Sequence, residues 1–435
     1  MTRTTITADT RMQNAALAYT QTLGGTIPTG WQKGAERLQA TLARMRNTPT
    51  PEEHSVLWLP ERSDDLEPIL TIANALRRRF RHVVVLGAGG SGLSGQTLAM
   101  FKNPVWDAKG EQPKLYFLDN IDPHTVQSLL AAVDLKHTGF IAISKSGATV
   151  ETLCQMMVMR EALAKASPNP DAHFTIITVE GDSPLCQLAK QHGMSLLPHD
   201  PYLGGRFSIF SAVGLLPAAL AGLNIASLRR GANTVIEHSF QNGATSEPAR
   251  GAALQAALMQ AGKQVHVFMP YCDRMSGLAM WFRQSWAESL GKKGLGATPV
   301  RGRGATDQHS QLQLYLDGPK DKYFTFLSLE DETGGPTVSI PPEFESRLYF
   351  LRDKTLGSIL RAEMRGTMET LQRAGACVRH FTLLGLDEAA FGALLMHFTL
   401  EILLIADLLG INAFDQPAVE ASKRLTREYL LKEMP

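Results

Sequence analysis

Two side chains near the middle of the chain have the types and spacing to move a proton. Glu288 lies in a helix-like run, MSGLAMWFRQSWAESLGKK, and His309 lies in the sharply polar TDQHS. Between them runs GKKGLGATPVRGRGA, too broken by Gly and Pro to be one element. A carboxylate and an imidazole brought together by such a loop supply a base and a proton donor near neutral pH. The competing structural reading puts Glu288 on a solvated helix face and His309 at a helix cap, and the spacing alone leaves both open.

Four further stretches carry polar groups fit for an anion. Gly87-Ala88-Gly89-Gly90-Ser91-Gly92 follows an apolar run and opens a helical one, satisfying G-x-G-x-x-G literally. A nicotinamide-dinucleotide site is therefore one reading, although Asp119, the acid closing the next strand, comes later than the fingerprint places it. Ser144-Lys145-Ser146-Gly147-Ala148-Thr149 also stands between a strand and a helix. Its hydroxyls and backbone N–H groups make a phosphate cradle, or else a helix cap with solvated hydroxyls. Gly204-Gly205-Arg206-Phe207-Ser208 precedes an apolar helix, where an arginine commonly serves as a structural ion-pair partner. In the tail, Gln416-Pro417-Ala418-Val419-Glu420 is followed by Lys423, whose ordinary place is a solvated helix face.

Taken together these stretches resemble the glucose-6-phosphate isomerase family, in which E-S-x-G-K, T-P, T-D-Q-H-S, S-K-S-G-x-T, G-G-R-[FY]-S and Q-P-x-V-E-x-x-K recur. The resemblance spans about residues 83–425 in the family's order. It departs at Ala88, Ser94 and Gly95 in the first loop, at Ala148 in the second, and at Ala418 in the tail. It implies a fold of two sugar-isomerase (SIS) α/β/α sandwich domains with mainly parallel sheets. It implies Glu288, His309, Lys423 and Arg206 as catalytic residues: Glu288 the base, Arg206 the charge that stabilises an enediolate, His309 and Lys423 the pair that opens the sugar ring. Gly90, Ser91, Ser144, Lys145, Ser146, Thr149 and Gln416 are implied to bind the substrate, a small sugar phosphate. The family works without cofactor or metal, as a two-fold dimer in which His309 would complete the partner's site. Two other classes stay open on the residues alone: a dehydrogenase using the first glycine loop, and a non-catalytic sugar-phosphate sensor built on SIS modules.

These residues need a scaffold, and 435 residues are enough for two or three domains and a large core. A net charge of +1 gives no global electrostatic case for nucleic acid or a membrane surface. Arg77, Arg78, Arg79 and Arg81 read as a helix end, where cations complement the dipole. Four scattered cysteines, Cys154, Cys186, Cys272 and Cys377, lack metal-finger spacing and suit a reducing compartment. The opening residues lack the apolar stretch of a secretory signal, and the run 389–410 carries His397, Glu401 and Asp407, so it reads as a core helix. The expectation is a cytoplasmic protein without nucleic-acid or membrane partners.

Strand-like runs at 82–86, 115–119, 139–143, 174–179 and 194–198 alternate with helical ones and predict a parallel sheet. The pattern restarts after about 225, with strands at 264–270, 322–330 and CVRHFTLL, and an exposed insertion EDETGGPTVSIPPE. The expected organisation is an N-terminal arm (1–50), a first domain with the sugar-phosphate loops (51–225), a second carrying Glu288 and His309 (226–410), and a C-terminal helix (411–435).

Overall fold

A computed structural model of the chain describes residues 17–47, 50–102, 113–331 and 333–432. It opens with the strand β1 (Tyr19–Gly24) and the helix Gln32–Asn47. The first sheet then forms from β2 (His82–Leu86), β3 (Lys114–Leu118), β4 (Thr138–Ile143), β5 (Phe174–Thr178) and β6 (Ser195–Pro198). Its order is β3-β2-β4-β5-β6 and every pairing is parallel. The second sheet is built from β7 (Val265–Pro270), β8 (Thr298–Arg301), β9 (Lys322–Leu329) and β10 (Val378–Leu383). Its order is β1-β10-β9-β7-β8, parallel except for β1, which pairs with β10 antiparallel.

The period-2 alternation of a strand explains how these sheets are covered. Val83 and Val85 of β2 face one apolar cluster, while Val84 and Leu86 face another. In β7, Phe268 turns into the first of these clusters and Val267 and Met269 into a third. The shared cluster takes side chains from both sheets and from the helices Ala212–Leu220, Ile225–Asn242, Glu247–Gln260, Ser276–Leu290 and Glu388–Leu409. Helix Glu388–Leu409 is long and apolar enough to cross a membrane, but 94% of its most apolar window is buried inside the fold, as a core helix requires.

Two strands depart from the sequence expectation. Residues 19–47 are not a polar arm without a core pattern. β1 is an edge of the second sheet, and Leu38, Leu42 and Met45 are buried on one face of the following helix. A short polar strand whose partner is β10, far along the chain, leaves no local signal. It is fixed instead by a buried network: Tyr19 Oη lies 2.7 Å from His397 Nδ1, and His397 Nε2 lies 3.0 Å from Glu401 Oε1. Glu401 also accepts from Arg379 of β10 (3.2 Å) and from Gln255 (2.8 Å). The second addition, β8, carries Pro299, which a central strand would reject and an edge strand accepts. Arg77, Arg78 and Arg79 occupy the last turn of helix Leu66–Arg79, as expected, and the four cysteines are free thiols, three of them buried and Cys154 exposed.

Candidate active site

Helix Ser276–Leu290 organises the site. Trp281, Ser285, Glu288 and Ser289 recur at helical spacing along one stripe, and all four reach Arg206. Trp281 Nε1 and Ser285 Oγ each donate to the Arg206 carbonyl at 3.2 Å. At the other end of that residue the guanidinium donates from Nε to Ser289 Oγ (2.8 Å) and from Nη1 to Glu288 Oε2 (3.3 Å). Nη2 donates to the carbonyls of Ala413 and Asp415. Burial disfavours the charged guanidinium and lowers its pKa from the ordinary value, with Glu288 acting in the opposite sense. Arg206 is 1% exposed, so its charge stands in a low-dielectric setting where it acts strongly on a nearby anion.

The Glu288 carboxylate is held from three sides. Gln284, one turn earlier, donates to Oε1 at 2.8 Å, and Gln416 donates to Oε2 at 2.8 Å beside Arg206. Its side chain is 31% exposed, open enough to meet a ligand. Gln284 was missing from the sequence reading. Its signal was the i,i+4 spacing to Glu288, which on a helix makes the two side chains neighbours.

The first glycine loop packs directly on this group. A methyl added at Gly90 would overlap the Gly205 carbonyl and stand 2.7 Å from Arg206 N, so the glycine is required by backbone-to-backbone contact. Gly89, at φ 58°, lies next to Gln284, and Ser94 Oγ is 3.2 Å from Ser208 Oγ. Gly90, a variable position of the dinucleotide pattern, thus seats the G-G-R segment, while the pattern's own Gly87 and Gly92 pack against each other.

The second loop joins β4 to helix Val150–Ala164. Thr149 holds the N-cap position without a capping side-chain bond; its Oγ1 instead lies 2.8 Å from Ser144 Oγ. That leaves first-turn N–H groups of a 15-residue helix uncapped by Thr149, beside the hydroxyls of Ser144, Ser146 and Thr149. Lys145 is half-buried; desolvation lowers its pKa, Asp200 opposes this and the charge of Arg206 adds to it.

Among the described residues, neither His309 nor Lys423 makes a hydrogen bond or ion pair with this cluster. His309 is exposed in the short helix Thr306–Ser310, and its side chain makes no hydrogen bond or ion pair with another described residue. Its neighbours are fastened: Gln308 accepts from Tyr271 (2.7 Å) and Thr367 (2.9 Å), and Asp307 accepts from Ser310 (2.8 Å). Lys423 lies on helix Glu420–Lys432, which buries no residue, and pairs with Glu420 at 2.7 Å. Among the described residues no cluster of His, Cys, Asp and Glu could hold a metal ion.

Residues 73–306 match the model of the family described as phosphoglucose isomerase, more than half of the chain. A glucose-6-phosphate isomerase of Rubrobacter xylanophilus is 35% identical over 93% of this chain and 94% of its own. The chain belongs to the phosphoglucose isomerase family. One from Carboxydothermus hydrogenoformans is 36% identical over 86% of this chain and 84% of its own. The fold is also that of a solved hypothetical protein from Thermus thermophilus, with a TM-score of 0.83, 31% identity, and coverage of 93% of this chain and 99% of the other. The activity of the chain is the family's aldose–ketose isomerisation, interconverting glucose 6-phosphate and fructose 6-phosphate.

Proposed function

We propose that Glu288 is the single base of this isomerisation. It removes the proton from C2 of the opened glucose 6-phosphate, leaving a cis-enediol(ate), and returns it to C1; the reverse reaction uses the same carboxylate. The observation that carries this reading is the placement of a part-exposed carboxylate between two amide donors and a buried guanidinium. Arg206 stabilises the oxyanion that exists only along the reaction. Ser144, Lys145, Ser146 and Thr149, with Gly90 and Ser91 of the first loop, hold the phosphate. Binding that remote group orients the reacting carbons. The redox change is balanced within the substrate, so proton transfer alone completes the reaction.

His309 with Lys423 opens the pyranose ring, and His309 does so in the site of a second copy of the chain. The exposure of His309, the fastening of its neighbours and its lack of a side-chain partner among the described residues support this arrangement. In a two-fold dimer the exchange occurs twice and gives two equal composite sites. We place this dimer in the cytoplasm, on the strength of its four free thiols.

The test mixes two inactive variants, Glu288→Gln and His309→Ala, under conditions that dissociate and reform dimers. A shared site restores activity, because each hybrid contains one intact pair. Hybrids that form and stay inactive place both residues in one chain's site.

A further inference from the structure

Lys292 closes the E-S-x-G-K stretch, and none of the roles above uses it. Its side chain is only 11% exposed, and its ammonium lies 2.9 Å from Asp415 Oδ1 and donates to the carbonyl of Asn412. The segment it grips, 412–416, leads from helix Glu388–Leu409 to the tail helix. Among the described residues, the backbone of 412–416 makes no hydrogen bond to other backbone. Cationic side chains take its carbonyls instead: Lys292 at Asn412, and Arg206 at Ala413 and Asp415. Ala413 is buried in the shared core, and Phe414 packs against it with its ring 5.5 Å from that of Phe207. The next residue but one is Gln416, whose amide donates to Glu288 Oε2.

We propose that Lys292 is a positioning residue for the isomerisation, fastening the 412–416 segment to the end of the helix that carries Glu288 so that the Gln416 amide aims that carboxylate. Lys292 follows the helix's last residue, Leu290, by two positions. The base stands on the helix, and the clamp on its hydrogen-bond partner stands immediately past that helix's C-cap, Gly291. Within the segment only a local turn, Phe414 N–H to Asn412 Oδ1 at 2.8 Å, and the burial of Ala413 hold it, so the exposed stretch leading to Gln416 depends on such a clamp. Lys292 touches neither substrate nor Glu288 in this role, and its effect passes through Gln416. The inference rests on the reading of Glu288 as the base.

Lys292→Met keeps the aliphatic stem and removes the ammonium, and Asp415→Asn weakens the same clamp from its exposed side. Each is compared with Gln416→Ala and with the Lys292→Met/Gln416→Ala pair for kcat, KM and melting temperature. Misplacement of a reacting group by about 1 Å costs up to about 100-fold in rate. Lys292→Met should therefore lower kcat by about 10- to 100-fold with KM little changed, Asp415→Asn should do so more weakly, and Lys292→Arg should recover most of the loss. The double variant should be no slower than the slower single one, since both changes remove the same alignment. Losses that multiply in the double variant, or wild-type kcat in Lys292→Met, overturn the proposal. Glu288→Gln runs alongside the wild-type enzyme in the same assay, so failure of the Glu288 reading would be seen separately, as isomerisation surviving in that variant.

Discussion

Replacing Arg206 by Lys retains a positive charge and removes the fork that delivers it. The guanidinium donates in four directions: one from Nε to Ser289, one from Nη1 to Glu288, and two from Nη2 to the carbonyls of Ala413 and Asp415. One Nη1 N–H remains for a developing oxyanion. A lysine ammonium is a single point with three donors and cannot span acceptors placed around a planar fork. If it follows Glu288, then Ser289 Oγ and the Ala413 carbonyl, both in buried residues, lose their donor. A buried acceptor left unpaired costs about 1–3 kcal/mol, so the two together cost about 2–6 kcal/mol. With an unfolding entropy of about 2 cal/mol/K per residue, that lowers the melting temperature of a chain this long by about 2–7 °C. Loss of an aligned oxyanion donor should lower kcat by about 10²- to 10³-fold. The assay follows conversion of fructose 6-phosphate to glucose 6-phosphate through a coupling dehydrogenase, alongside a thermal melt. A Lys variant with wild-type kcat and an unchanged melt would refute the reasoning, because charge alone would then suffice.

Gly90→Ala should damage both the fold and the site, since its methyl meets the Gly205 and Arg206 backbone rather than a movable side chain. A stability loss of about 1–3 kcal/mol should appear in a urea titration together with reduced kcat, and an unaltered variant would show that the first loop does not seat Arg206. Acid stability should report Glu401: burial would raise its pKa, but Arg379 and His397 outweigh burial and push it down to about 2, against an ordinary 4.5. A depressed carboxylate contributes stability above its unfolded value and loses it as pH falls, so the melting temperature should drop between about pH 5 and 2. Glu401→Gln should be less stable at neutral pH and lose that part of the acid slope; an identical slope would assign it to other carboxylates.

The parallel cores of both sheets were legible in the sequence because their strands are short apolar runs between turn residues, as in HVVVL and GFIAI. β1 was hidden because it is held by Tyr19 in a network closed by His397 and Glu401, residues far away in sequence. In the site, Glu288, Arg206 and Gln416 were found through motif resemblance, and the structure brings them within hydrogen-bonding reach. Gln284 was readable from helical spacing alone. The clamp by Lys292 was not, because it depends on where a segment more than 100 residues later folds back. His309 and Lys423 were singled out by motif as well, yet among the described residues neither bonds Glu288 within one chain.

The most direct test of Glu288 as the base is isotope exchange in deuterated water. As the wild-type enzyme converts fructose 6-phosphate, deuterium from solvent should enter C2 of the glucose 6-phosphate formed, read by NMR. Glu288→Gln keeps the shape and offers no basic oxygen, so exchange and isomerisation should fall together by about 10²- to 10⁴-fold while the sugar phosphate still binds. Deuterium entering C2 at the wild-type rate in that variant would contradict the account, since another group would then be removing the proton.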